Sequence, residues 1–365
     1  MGFGCSKPEV PSPRVYRFGA IFSETGPYAF VGQPGAEVLR ALNGRELHGA
    51  QLEFVVRDTH GDKSRALEEY RQMARDPSIL GVIGPSTTDE TLALMADANQ
   101  TKLPCLSISA ADRTQPRSPW VFRLPITTYH MVYQIGEYLA QHELRRLALV
   151  SVDSGFGQAG RRELLHQAED FGLELVGDVV APNRTLSDQE ADQLISKAMA
   201  SRPQALLIWW SASGAVELTL AARRQNVSVP LLHSGGVASP DFIKSCGAAA
   251  EGILFPGSPL LVPDWLGDDH RQKAPIDEFL QFCHRHRLTV SNFAGYGWDG
   301  AQLLGEAAVQ AGPHRGKIRA YLENAQNRAA VSGVYHFTPQ DHNGLTHDSF
   351  LMVEVRRATW QPAGR

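Results

Sequence analysis

Short apolar segments alternate with segments of helical period along this chain, first from residue 15 and again from residue 127, and that repetition narrows the fold sharply. In the first run, residues 16–22, 51–57, 80–83 and 103–107 read as strands, with helices predicted over 33–42, 63–75 and 88–101. In the second, strands over 146–152, 173–180, 205–210 and 231–234 alternate with helices over 128–142, 159–171, 188–201, 214–226 and 240–246. A parallel crossover needs a helix-length connection, so this order predicts parallel sheets with helices on both faces. The expectation is an α/β chain of two similar lobes. Later segments are helical over 274–287, 292–312 and 316–324, and two strands, 333–337 and 349–356, flank a turn-rich stretch. Assigning the late helices to the first lobe and the last strands to the second gives lobe one as 15–126 with 257–332. Lobe two is then 127–256 with 333–360. Three chain crossings join them, a three-segment hinge of the kind that permits rigid-body closure. Residues 1–14 precede the pattern, carry three prolines, and are expected to form a disordered tether.

Composition enters by exclusion. The 39 acidic and 35 basic residues form no basic block, which argues against nucleic acid as a partner, since phosphate binding needs clustered positive charge. No apolar run approaches the roughly 20 residues of a membrane-spanning helix. Four cysteines (Cys5, Cys105, Cys246, Cys283) are far apart and lack metal-ligand spacing, and the histidines are scattered, so no metal or other cofactor is expected. A nucleophile elbow, a His-Glu-x-x-His helix and a phosphate-binding loop are all missing. The first strand runs into Glu24-Thr25-Gly26-Pro27 where a dinucleotide site would need Gly-x-Gly-x-x-Gly. An enzyme is not expected.

Several segments, taken in order, resemble one family. Residues 16–32 (YRFGAIFSETGPYAFVG), 55–61 (VVRDTHG), 82–92 (VIGPSTTDETL), 103–112 (LPCLSISAAD), 121–125 (VFRLP) and 295–304 (GYGWDGAQLL) are similar to type I periplasmic binding proteins of the branched-chain amino acid group. Each match is short; their colinearity carries the resemblance. It implies two Rossmann-like lobes that close on a small solute, delivered to an ABC transporter permease, by a monomer at the periplasmic or extracellular face. Gly4-Cys5-Ser6 resembles the end of a bacterial lipoprotein signal, with Cys5 as the lipidated residue, although the apolar segment that should precede it is missing. Two alternatives stay open: a cytoplasmic ligand-sensing regulator of the amide-sensor type using the same clamp, and an α/β hydrolase.

The candidate site follows the strand ends. Gly84-Pro85-Ser86-Thr87-Thr88 leaves a buried strand and opens a helix, where free N–H groups and the helix dipole favour an anion. Ser86, Thr87 and Thr88 are therefore candidates for a solute carboxylate, with an N-cap as the structural alternative. Ser109, Ala110 and Asp112 follow the next strand; the resemblance implies a carbonyl and a polar group there for a solute ammonium. Asp112 reads equally as an exposed acid paired with Arg113. On the second lobe, the position where relatives place a carboxylate holds Gly235, and the one where many place an aromatic holds Ala212. The solute is therefore an amino acid, a carboxylate or an amide. Tyr28, Phe156, Trp210 and Tyr296 are candidate aromatic walls, with Trp209 and Trp298 beside them. Asp299 is expected to cap its own helix.

Overall fold

The computed structural model describes residues 14–110, 118–211 and 213–364. In chain order the elements are β1 (Val15–Phe22), α1 (Ala29–Leu42), β2 (Arg45–Leu47), β3 (Ala50–Asp58), α2 (Lys63–Arg75), β4 (Ile79–Ile83), α3 (Thr88–Thr101), β5 (Cys105–Ser107) and β6 (Val121–Arg123). There follow α4 (Thr128–Gln141), β7 (Arg146–Val152), α5 (Gly155–Gln167), β8 (Glu174–Ala181), α6 (Asp188–Met199), β9 (Ala205–Trp209), α7 (Ser213–Arg224), β10 (Leu231–His233), α8 (Pro240–Cys246) and β11 (Leu254–Gly257). The remainder is α9 (Lys273–His286), α10 (Asn292–Ala311), α11 (Arg315–Leu322), β12 (Arg328–Ala329), β13 (Val334–Tyr335), β14 (Leu351–Arg356) and β15 (Thr359–Pro362).

Two parallel-dominated sheets result, as the alternation predicts. The first has the order β2-β3-β1-β4-β5-β6 and the second β15-β14-β11-β10-β9-β7-β8. Only β2, β14 and β15 run antiparallel to their neighbours in these sheets. Helices cover both faces, so the inner strands are apolar throughout: all five residues of β4 and all five of β9 are buried. The order reverses about β1 in the first sheet and about β7 in the second, because each is flanked by strands that leave it in opposite directions. Ligands in open α/β sheets bind at such switch points, beyond the carboxyl ends of the strands.

The chain passes between the sheets three times: after β6, after β11, and between β13 and β14. One face of α10 touches the first two passages and the segment that leads into the third. Asn292 Oδ1 accepts from Ser258 Oγ (2.7 Å), and the Tyr296 hydroxyl hydrogen-bonds the backbone of Ile126. One turn on, Asp299 accepts from Val331 N (3.0 Å), Ser332 N (2.9 Å) and the Tyr335 hydroxyl (3.2 Å). The expectation that Asp299 caps its own helix is thus corrected. Ser291 is the N-cap, and Asp299, two turns inside, holds the segment that leads into the third passage instead. Asp299 is fully buried, and desolvation pushes its carboxyl up to about 6 against these hydrogen bonds.

The strand expected over 333–337 does not join the second lobe. Val334–Tyr335 pairs with β12, and Phe337 packs edge-on against Phe122 of β6 with ring centroids 5.2 Å apart. Arg123 N donates to His342 O (2.9 Å) and Gly344 N to Arg123 O (3.2 Å), tying the turn-rich stretch to the first sheet. The apolar pattern of 333–337 is real, but its partners are β12 and Phe122 of β6 rather than a second-sheet edge. Residues 359–362, for which no strand was expected, pair with β14 as a hairpin.

Candidate ligand-binding cleft

Both switch points face one cavity of about 80 Å³ between the sheets, which opens past Tyr28, Thr87, Asp89 and Ser154 into a wider vestibule of about 490 Å³. Ser86–Asp89 arrive from the end of β4, and Ile108, Ser109 and Ala110 from the end of β5. The second sheet contributes Ser154 and Phe156 after β7, Trp210 after β9, and Gly235 and Gly236 after β10. Of the sequence-predicted residues, Tyr28, Ser86, Thr87, Thr88, Ser109, Ala110, Phe156, Trp210, Gly235 and Tyr296 all line it. Asp112, Ala212 and Cys5 lie outside the described residues. Trp209 is core, stacked against Gly160 and bonded through Nε1 to Phe156 O (3.1 Å), and Trp298 packs on Phe279 and Phe282.

The backbone before the first-lobe loop requires glycine. Gly84 has φ +97°, and a Cβ there would collide with Ile21 O, so the chain can lie against β1 only without a side chain. That close packing lets Ser86 Oγ accept from Ser23 N (3.0 Å). A hydroxyl that accepts there keeps its one hydrogen, and Ser86 can donate it into the cavity. Thr87 is the N-cap of α3: its Oγ1 accepts from Glu90 N (3.3 Å) while Glu90 Oε2 accepts from Thr87 N (2.9 Å). This capping box uses the Thr87 N–H that was expected to serve a solute, and leaves only its hydroxyl hydrogen.

Behind this loop three hydroxyls meet. Thr91 Oγ1 donates to Thr87 O (2.9 Å) and lies 2.7 Å from Ser109 Oγ and 2.8 Å from Ser107 Oγ. With the Thr91 hydrogen engaged, Ser109 can turn its own to Thr91 or into the cavity, and so act as donor or acceptor. Ala110 O accepts from Thr128 Oγ1 (2.7 Å), so one of its two lone pairs is already engaged. On the facing wall, Gly235 N is paired only with the weak acceptor Met131 Sδ (3.4 Å), which leaves a good backbone donor for a solute.

The walls also bond to each other at the rim. Asp89 Oδ1 accepts from Gly155 N (3.2 Å) at the start of α5, and Tyr28 donates to Asn183 Oδ1 (3.0 Å). A Cβ on Gly155 would collide with Asp89 Oδ1, so this approach too depends on glycine. Burial pushes the Tyr28 phenol up, and its bond to Asn183 opposes that. Among the described residues no cluster of histidine, cysteine or acid could hold a metal, and no helix is long and apolar enough to cross a membrane.

A family model described as periplasmic binding protein matches residues 15–359. The chain belongs to the periplasmic binding protein family. Its fold is shared with solved members. An extracellular ligand-binding receptor from Rhodopseudomonas palustris HaA2 superposes with a TM-score of 0.87 at 23% identity, covering 95% of this chain and 99% of that one. The branched-chain amino acid transporter substrate binding protein of Streptococcus pneumoniae, solved with isoleucine, gives 0.81 at 18% identity, covering 95% and 98%. A curated relative, glutamate receptor 2.9 of Arabidopsis thaliana, is 23% identical over 175 residues, 47% of this chain; the match spans 18% of that receptor's length.

In this periplasmic binding protein the sequence reading missed Asp89, Met131, Ile126, Gly236 and Phe293, all of which line the cavity. For Asp89 and Glu90 a signal existed: Thr87-Thr88-Asp89-Glu90 is a capping-box sequence, which fixes where both acids sit. Met131 and Ile126 carry no local mark, since only the approach of the two lobes brings them to the site.

Proposed function

We propose that this chain is an extracytoplasmic solute-binding protein of an ABC transporter. It takes a small polar solute, an amino acid, carboxylate or amide, between lobes 15–126 with 257–332 and 127–256 with 333–360, the stretch 333–345 excepted. One observation carries the reading: the switch points of two separate sheets face the same cavity, lined from one side by Ser86, whose hydroxyl hydrogen is left to donate, and from the other by Gly235, whose N–H meets only a weak sulfur acceptor among the described residues. Solute docks on the hydroxyls of lobe one, and lobe two then closes over it through the Asp89–Gly155 and Tyr28–Asn183 contacts. A solute shifts that equilibrium only as far as it prefers the closed form. The permease would read that closed form, and Cys5 would tether the chain to lipid. Neither set of lining groups includes a nucleophile paired with a base, which favours binding over hydrolysis.

A thermal-shift screen of isoleucine, other amino acids, short carboxylates and amides tests the reading. A solute at a hundred times its Kd stabilises by about 2.7 kcal/mol, which corresponds to a rise of roughly 5 °C or more. Absence of any shift across the screen would remove the proposal.

A further inference from the structure

Resting on the reading of the cavity as a solute site, we infer that it selects against net negative charge: an amine or amide on a compact apolar body should bind more tightly than the matching carboxylate. The first turn of α3, which forms the lobe-one wall, already holds two carboxylates, Asp89 and Glu90. Glu90 has no exposed surface and accepts from Thr87 N (2.9 Å), from Ser23 Oγ (3.3 Å) and from Thr59 Oγ1. Three donors converging on one carboxyl are a geometry that favours its ionised form. Burial pushes the Glu90 carboxyl up, and these three bonds work against that push.

The Glu90 charge sits where the α3 dipole would otherwise attract an anion, and Asp89, which lines the cavity, adds a second one residue away. Tyr28 faces the same space and registers the field. Burial raises its phenol most, and Asp89 and Glu90 both raise it further. Among the described residues lining the inner cavity there is no lysine, arginine or histidine; Lys63 and Arg162 line only the outer vestibule. The aromatic faces of Phe156, Trp210 and Tyr296 accept an apolar body or a cation equally well. The helix terminus that reads in sequence as an anion site is therefore occupied by the chain's own acids.

The test titrates three near-isosteric probes, 3-methylbutan-1-amine, 3-methylbutanamide and 3-methylbutanoate, into the full chain at neutral pH by calorimetry. A unit charge several ångströms from a carboxylate in a partly buried site changes affinity by roughly ten- to a hundredfold, so the amine and amide should exceed the carboxylate by at least about tenfold. Glu90→Gln should narrow the gap by raising carboxylate affinity. Asp89→Asn should do the same while keeping an acceptor for Gly155 N, so one variant suffices if the other fails to fold. Carboxylate binding as tight as the amide, or a gap unchanged in every folded variant, overturns the inference. If none of the three binds while the wider screen finds a solute, the charge of that solute decides: an anion overturns the inference and leaves the solute-site reading intact, and a neutral or cationic solute supports both. A blank screen overturns both together.

Discussion

The two walls of the cleft are built from different material. On lobe one, Thr87, Thr91, Ser107, Ser109 and Glu90 hydrogen-bond one another, and Ser23 joins Ser86 to Glu90, so the wall is a connected polar lattice. On lobe two, Phe156, Trp210, Gly235 and Gly236 offer aromatic rings and bare backbone beside Ser154 and Ser211, and lobe one adds the rings of Tyr28, Phe293 and Tyr296 to its lattice. The difference teaches that the lobes divide the work. A lattice whose groups are already oriented can hold a polar solute end without further ordering, whereas rings and glycines supply area and close approach.

The sharpest way to break the comparison is Trp210→Ala. Trp210 is 3% exposed and packs on Gly214, so a residue lining the cleft is also core of lobe two. Its loss should cost about 3–5 kcal/mol of stability, measured by urea unfolding, along with binding. No lobe-one hydroxyl should match that.

Acid should next separate lobe two from the passages. His233, fully buried on β10, is driven down to about 3 by desolvation and by Arg223. The unfolded chain then binds a proton between about pH 6.5 and 3 that the folded chain refuses, so stability falls as pH drops through that window. Asp299, held near 6, takes up its proton in the folded state first, and its contribution to stability rises as pH falls from about 6 toward 3.8. His233→Asn should flatten the loss between pH 7 and 5, and Asp299→Asn should steepen it. Unfolding curves at the two pH values check both signs.

Closure itself is tested by Gly155→Ala, whose Cβ would meet Asp89 only when the lobes approach. Affinity for the best solute of the screen should fall about tenfold or more while the melting temperature of the free protein holds, because only the closed population is reduced. Smallest is Ser86→Ala, which removes one donor to the solute and leaves Ser23 N without its acceptor. It should cost about 1 kcal/mol in binding and a similar amount in stability.

Much of this was legible in the sequence, and for a physical reason. Period-2 and period-3.6 patterns report burial against a neighbour close in the chain, which is why β1, β3, β4 and β5, and α2, α3, α4, α6 and α7, stand near their predicted bounds. Loops that end buried strands were legible too, since the strand ends fix them, as Ser86 and Gly235 show. What the pattern could not express was partnership across the chain. Val334–Tyr335 looked like any strand until Phe122 claimed its neighbour Phe337, and Asp299 looked like a cap until the backbone of Val331 and Ser332 reached it.

The contacts of α10 with two passages and with the approach to the third bear on geometry rather than affinity. Two bodies joined by a single strand can swing, twist and slide; three connections, two of them resting on one helix and the third held to it just before it leaves, restrict them far more. Asn292, Tyr296 and Asp299 stand at intervals of about one turn along a single stripe, so the arc of a swing would be set by α10 and not by what lies in the cleft. Solutes of different shape would meet the same trajectory and differ only in where along it they stop.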